Sequence, residues 1–147
     1  HQTGKGNSDL VAQAYQASSP VACASLQVSD FIDDMAQAYR WADLVICRAG
    51  ALTVSELAVA GVAAIFVPLP HAVDDHQTKN ALSLVQANAA ILMPQHALSA
   101  VSLADEILKF IQQPAQLLAM ATQARAQGIA DATANVAAIC NELTEKK

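Results

Sequence analysis

Charged side chains are scarce in this chain, 14% of residues against 54% hydrophobic ones, so a disordered polyelectrolyte is excluded. So little charge leaves much surface to be covered by a partner or by another domain. Positive charge is scarcer still. A net charge of −5 and a pI near 5.1 argue against nucleic-acid binding, which needs a basic face for phosphates. No apolar run approaches the ~18 residues of a membrane-spanning helix. The three cysteines, Cys23, Cys47 and Cys140, lack metal-ligand spacing and read as small core residues in a reducing compartment. Neither an initiator methionine nor a signal-peptide pattern stands at His1, and the expectation is a fragment of a longer polypeptide. What remains, 147 residues rich in apolar side chains, is enough for one domain with a real core.

Hydrophobic periodicity alternates between two kinds of segment. Ser8 to Ala17 has helical spacing, and Ser19-Pro20 stops it before a strand-like run, Val21 to Val28. Ser29 or Asp30 can cap a second helix carrying Phe31, Met35, Ala38 and Ala42 on one face. Strand Asp43 to Cys47, helix Leu52 to Ala60, strand Ala64 to Leu69, helix His76 to Ala87 and strand Ala89 to Met93 follow. Beyond Pro94 the pattern is helical, with stripes at Ala104–Ile111, Leu117–Ala124 and Ala132–Leu143 and breaks at Pro114 and Gly128. Strands spaced by helices predict an α/β fold, a Rossmann-like parallel sheet with crossover helices and an all-helical C-terminal end.

In such sheets ligands bind beyond the carboxyl ends of the strands. The stretch RAGALTVSE, Arg48 to Glu56, is strand end, glycine turn and helix start in succession. That turn aims main-chain N–H groups and the positive end of a helix dipole at one spot, which suits a phosphate. Glu56 lies about one turn further on, where a carboxylate can accept two hydrogen bonds from a ribose diol. Both are weak signals singly: such turns join strands to helices in any α/β protein, and a helix carboxylate is usually just solvated. The next strand exit, PLPHAVDDHQTKN, crowds His71, Asp74, Asp75, His76, Gln77 and Asn80 together, a set suited to sugar hydroxyls. Its His and Asp residues are also metal ligands by type, a minor alternative. Asp33 and Asp34, ~100° apart on a helix, do not converge on one bond and suit a helix N-terminus instead. Met35, Tyr39 and Trp41 read as core or lobe-interface residues, and His1 and His96 as ordinary surface or boundary histidines.

Three stretches, HQTGKG at the start, FIDDMAQAYRWADLVICRAGALTVSELAVAG and VPLPHAVDDHQTKNA, resemble the MurG family over essentially the whole chain. Those bacterial transferases add N-acetylglucosamine to the lipid-linked muramoyl-pentapeptide precursor of peptidoglycan. The resemblance implies the two-lobed GT-B fold, with this chain similar to most of the C-terminal lobe, which holds UDP-N-acetylglucosamine. It further implies that Ile32 lies against the uracil, its backbone meeting the base edge. The N–H groups of Gly50, Ala51, Leu52, Thr53, Val54 and Ser55 would line the phosphate and sugar region, and Glu56 would take the ribose hydroxyls. Gln77, with His76 and Asn80, would contact the N-acetylglucosamine, while Arg48 would support the loop or balance diphosphate charge. No metal and no other cofactor is implied. Within this chain there is no catalytic residue, because the family's candidate base belongs to an N-terminal lobe that also receives the lipid-linked acceptor. The intact enzyme would work as a peripheral protein on the cytoplasmic face of the bacterial inner membrane.

Two departures from the family pattern occur. Gly61-Val62-Ala63 stands where the family usually has Gly-Leu-Pro, and Asn88-Ala89-Ala90 where it has Gly-Ala-Ala. Both bear on local rigidity rather than on donor contacts. The family lobe's first strand-loop-helix would precede His1, which predicts marginal stability for these residues alone and no catalysis by them. Three alternatives stay open: a nucleotide-sugar-binding module without transferase activity, the donor-binding subunit of a two-subunit N-acetylglucosaminyltransferase, and an enzyme like UDP-N-acetylglucosamine 2-epimerase.

Overall fold

A computed structural model describes residues 1–18, 25–70 and 73–145. They form two compact units, residues 1–38 and 39–147.

In the first unit, helix α1 (Ser8–Ser18) follows a turn at Gly4–Asn7. Residues 1–4 run parallel to residues 29–30: Ser29 N donates to His1 O (3.0 Å), Thr3 N to Ser29 O (2.9 Å) and Gly4 N to Asp30 O (3.0 Å). Of the strand expected at Val21 to Val28, residues 21–24 lie outside the described residues. Residues 25–28 are not in a strand, and only Gln2 and Ser29 form an isolated parallel bridge.

The second helix departs from expectation. Asp30 does not cap it, since its carboxylate turns back to the start of α1, accepting from Gly6 N (2.8 Å) and Ser8 N (3.1 Å). The Gly6 N–H foremost, with further hydrogen bonds from Ser8 and Asn7, holds the Asp30 carboxyl below its ordinary range. Helix α2 (Met35–Trp41) begins later, with Asp34 Oδ1 accepting from Gln37 N at 2.8 Å. That is an N-cap bond, so one of the paired aspartates does have a helix-terminal role. Phe31 and Ala42 fall outside the helix, and Phe31 is exposed.

The second unit carries the sheet. Strands β1 (Leu44–Cys47), β2 (Ala63–Phe66) and β3 (Ala90–Leu92) lie in that order, all parallel, with Leu44 opposite Ala63 and Ala64 opposite Ala90. Helix α3 (Ala51–Ala60) crosses from β1 to β2, and α4 (His76–Gln86) from β2 to β3. β2 is buried at every position, as a strand covered on both faces must be. The ladder runs one residue past its end, through Val67 N to Cys47 O (2.9 Å) and Met93 N to Phe66 O (2.8 Å). Pro68 has no N–H with which to continue it.

The core on one side of the sheet joins Ala63 and Ile65 to Met93, Phe110 and Met120. The last two come from α5 (Ala100–Gln112) and α6 (Pro114–Gln127), the former opened by a capping box between Ser99 and Ser102. Gly61 ends α3 in the left-handed region (φ 71°), its N–H closing onto Leu57 O and Ala58 O. Gly128 allows a close approach: a Cβ there would lie 2.6 Å from Ala58 O, inside contact distance. Asn88, where the family usually has glycine, also takes φ 57°, so the position requires a left-handed residue and asparagine supplies it. Helix α7 (Ala132–Glu145) contributes no buried residue, and its stripe of Val136, Ile139 and Leu143 is exposed. Cys140 is exposed with it, against the expectation of a core thiol. Trp41, 84% exposed, is likewise no core residue of this chain.

Candidate functional site

Two loops leave the carboxyl ends of β1 and β2 and converge through side chains from both. Ala49 is fully buried at the first, and Gly50 follows as the N-cap of α3, extended at φ −64° and ψ 145°. A glycine cap has no side chain, and no side-chain cap bond closes this helix start among the described residues. The first-turn N–H groups of Ala51, Leu52 and Thr53 therefore keep the unsatisfied donor character of any helix start, with the dipole behind them. Val54 is different: its side chain is in the core and its N–H bonds Gly50 O (2.9 Å), so what it offers is packing. Ser55 turns its hydroxyl back to Ala51 O at 3.0 Å.

Arg48 and Asn80 hold the two loops together, and Gln77 braces the second within itself. Arg48 Nη1 donates to Val67 O (3.1 Å) and Pro68 O (2.9 Å), linking the exits of β1 and β2. Asn80, on α4, donates from Nδ2 to Ala49 O (3.1 Å) and so fixes the glycine turn from the neighbouring helix. Gln77 Oε1 accepts from Leu69 N at 2.9 Å, which directs the amide's acceptor toward the β2 loop.

Glu56 stands exposed on α3, four residues past Leu52 and thus ~6 Å further along the helix on the same side. Its Oε2 accepts from Tyr39 Oη at 2.9 Å. Tyr39 is buried, and that burial, followed by the Glu56 carboxylate, raises its phenol well above the ordinary value. Nearby Cys47, half-buried at the end of β1, has its thiol pushed up to about 11 by burial. Sequence reading missed the role of Tyr39. The available signal was a tyrosine among apolar helix positions, since a buried phenol needs a partner for its hydroxyl.

At the start of α4, Asp74 (φ 57°) and Asp75 (φ 51°) both occupy the left-handed region, and Thr78 Oγ1 donates to Asp75 Oδ1 at 2.7 Å. Two consecutive non-glycine residues there store local strain, ~1–3 kcal/mol each in general, beside the candidate sugar region. His76 opens α4, and His71 lies outside the described residues. A cleft of about 710 Å³ opens beside these residues between Pro68, Leu69, Pro70, Asp75, Thr78 and Gln95. A second cleft, of about 570 Å³, lies at the opposite end of the sheet against Asp43, Leu44 and Val62, away from every candidate residue. No group of three or more possible metal ligands occurs among the described residues. Ile32 belongs to the first unit, where its N–H donates to Gln2 Oε1 at 3.1 Å, so that donor is already engaged.

A parallel sheet, with an uncapped helix start and paired loop exits at its carboxyl end, defines a Rossmann-like α/β protein of the kind that forms a GT-B lobe. The chain belongs to the family described as the glycosyltransferase family 28 C-terminal domain, which matches residues 1–136. It is similar to the UDP-N-acetylglucosamine–N-acetylmuramyl-(pentapeptide) pyrophosphoryl-undecaprenol N-acetylglucosamine transferase of Aeromonas hydrophila, at 57% identity over 97% of this chain and 38% of that protein. The protein of the same name from Pseudoalteromonas translucida is 50% identical over all of this chain and 41% of its own length. Among solved structures, Acinetobacter baumannii MurG superposes with a TM-score of 0.86 at 44% identity, covering 97% of this chain and 40% of that one. The chain thus spans about two fifths of the length of these relatives.

Proposed function

We propose that this chain, residues 1–147, is the C-terminal donor-binding domain of an inverting glycosyltransferase, part of a longer protein. That protein transfers N-acetylglucosamine from UDP-N-acetylglucosamine to a lipid-linked muramoyl-pentapeptide acceptor in peptidoglycan synthesis. The diphosphate sits on the N–H groups of Ala51, Leu52 and Thr53, and the ribose hydroxyls donate to Glu56. Gln77, with His76, meets the sugar, and Arg48 and Asn80 keep the two loops in register. As the acceptor's hydroxyl attacks the anomeric carbon, negative charge grows on the departing diphosphate. Amides fixed before the reaction stabilise that charge without reorganising. The attacking group and its base come from outside this chain. An undecaprenol-linked acceptor, of the kind in the relatives' names, places the reaction at a membrane surface, and peripheral attachment at the cytoplasmic face of the bacterial inner membrane is part of the proposal. No helix of the described residues is long and apolar enough to cross a membrane.

The observation that carries this reading is the exposed Glu56 carboxylate on the same helix as the uncapped turn at Gly50 to Thr53. Glu56→Gln in the protein carrying this chain is expected to weaken UDP binding roughly tenfold to a hundredfold, the ~1.5–3 kcal/mol of a charge-assisted hydrogen bond. Calorimetry measures it, and unchanged affinity removes Glu56 from the ribose site. Turnover of UDP-N-acetylglucosamine only when the lipid-linked acceptor is present separates the transferase from an epimerase or a binding module.

A further inference from the structure

Glu56 is an exposed glutamate on a helix surface, and such a side chain normally samples several rotamers. Here one carboxylate oxygen is already held, by a phenol that is itself only 8% exposed and belongs to the preceding helix. A hydroxyl-to-carboxylate bond is stronger than a neutral pair, and it occupies one of roughly four lone-pair positions on the carboxylate. The remaining positions, those of Oε1 among them, are left for other donors. Because burial and the neighbouring carboxylate raise the phenol's pKa, it remains a proton donor at any ordinary pH.

We propose that Tyr39 is a positioning residue: its hydroxyl locks the Glu56 carboxylate so that both hydroxyls of a ribose can donate to it at once. It thereby makes the site selective for nucleotides with an intact 2′,3′-diol. This rests on the reading of Glu56 as the ribose ligand. Tyr39 touches no substrate; it lowers the ordering cost that Glu56 would otherwise meet on binding. The effect should be confined to ligands with hydroxyls for Glu56 to hold. A tyrosine that merely packed α2 onto α3 would affect every ligand alike.

The test uses the protein carrying this chain and two probes, UDP and the analogue lacking both ribose hydroxyls, 2′,3′-dideoxyuridine diphosphate. Affinities are measured by calorimetry for wild type, Tyr39→Phe, Glu56→Gln and the double variant. Tyr39→Phe is expected to weaken UDP by about three- to tenfold, the size of one lost hydrogen bond, and to leave the analogue unchanged within about twofold. The double variant should bind UDP no worse than Glu56→Gln alone, because Tyr39 acts only through Glu56. If Glu56→Gln affects UDP selectively but Tyr39→Phe weakens both probes equally, or neither, the positioning role is overturned and the ribose reading stands. If Glu56→Gln fails to discriminate the probes, both fall.

Discussion

Replacing Asn80 separates two roles that its position allows. In the structure its Nδ2 donates to the carbonyl of Ala49, a residue with no exposed surface, 31 positions earlier in the chain. Asn80→Ala removes the donor and leaves that carbonyl without it, which costs about 1–3 kcal/mol for a buried or part-buried acceptor. Asn80→Asp should be worse than alanine, since it sets a carboxylate oxygen against a carbonyl oxygen about 3 Å away. The glycine turn carries the first-turn amides, so loosening it should lower affinity for UDP and for UDP-N-acetylglucosamine by the same factor. Urea unfolding gives the stability loss, and calorimetry with both ligands gives the affinity ratio. A variant of unchanged stability that loses affinity for the sugar nucleotide alone would refute the turn-fixing role. It would return Asn80 to direct sugar contact.

Gly128→Ala should destabilise by about 1–3 kcal/mol, because its Cβ would meet the Ala58 carbonyl oxygen at 2.6 Å and backbone has nowhere to move. UDP affinity should be unchanged once the protein is folded. At position 88, glycine should be neutral to slightly stabilising, while Asn88→Val should cost about 1–2 kcal/mol for a β-branched residue at φ 57°; denaturant midpoints check both. Cys47 favours the folded state as a neutral thiol. Its contribution is therefore fully present below its ordinary value of 9.0 and is lost as pH rises through about 11. Its alkylation rate, followed residue by residue by mass spectrometry, should rise with a midpoint near 11, and a midpoint near 9 would contradict the burial argument.

The sheet was legible because its signals are local. An apolar run, a glycine and a helical stripe at residues 43–60 sit next to one another in sequence, and β2 is apolar throughout. Strand starts moved by one residue, and the largest shift is at the end of β2, where Pro68 lacks the N–H that would extend the ladder. What escaped the sequence was pairing over distance. Asp30 looked like the cap of the helix that follows it, but its carboxylate turned back 24 residues to Gly6. Nothing local shows that carbonyls 19 and 31 residues away reach the donors of Arg48 and Asn80. Tyr39 and Glu56 lie on different helices, and only their packing brings phenol and carboxylate together. Cys140 misled for the opposite reason: helical spacing of apolar residues reports a face, not whether anything covers it.

The central claim is that main-chain amides at the start of α3 seat a diphosphate while Glu56 holds the ribose beside it. A crystal structure of the protein carrying this chain with UDP bound tests it directly. The account predicts diphosphate oxygens within hydrogen-bonding distance of the Ala51–Thr53 amides and both ribose hydroxyls on the Glu56 carboxylate. UDP ordered elsewhere, with those amides hydrated and Glu56 bonded to Tyr39 alone, would contradict it.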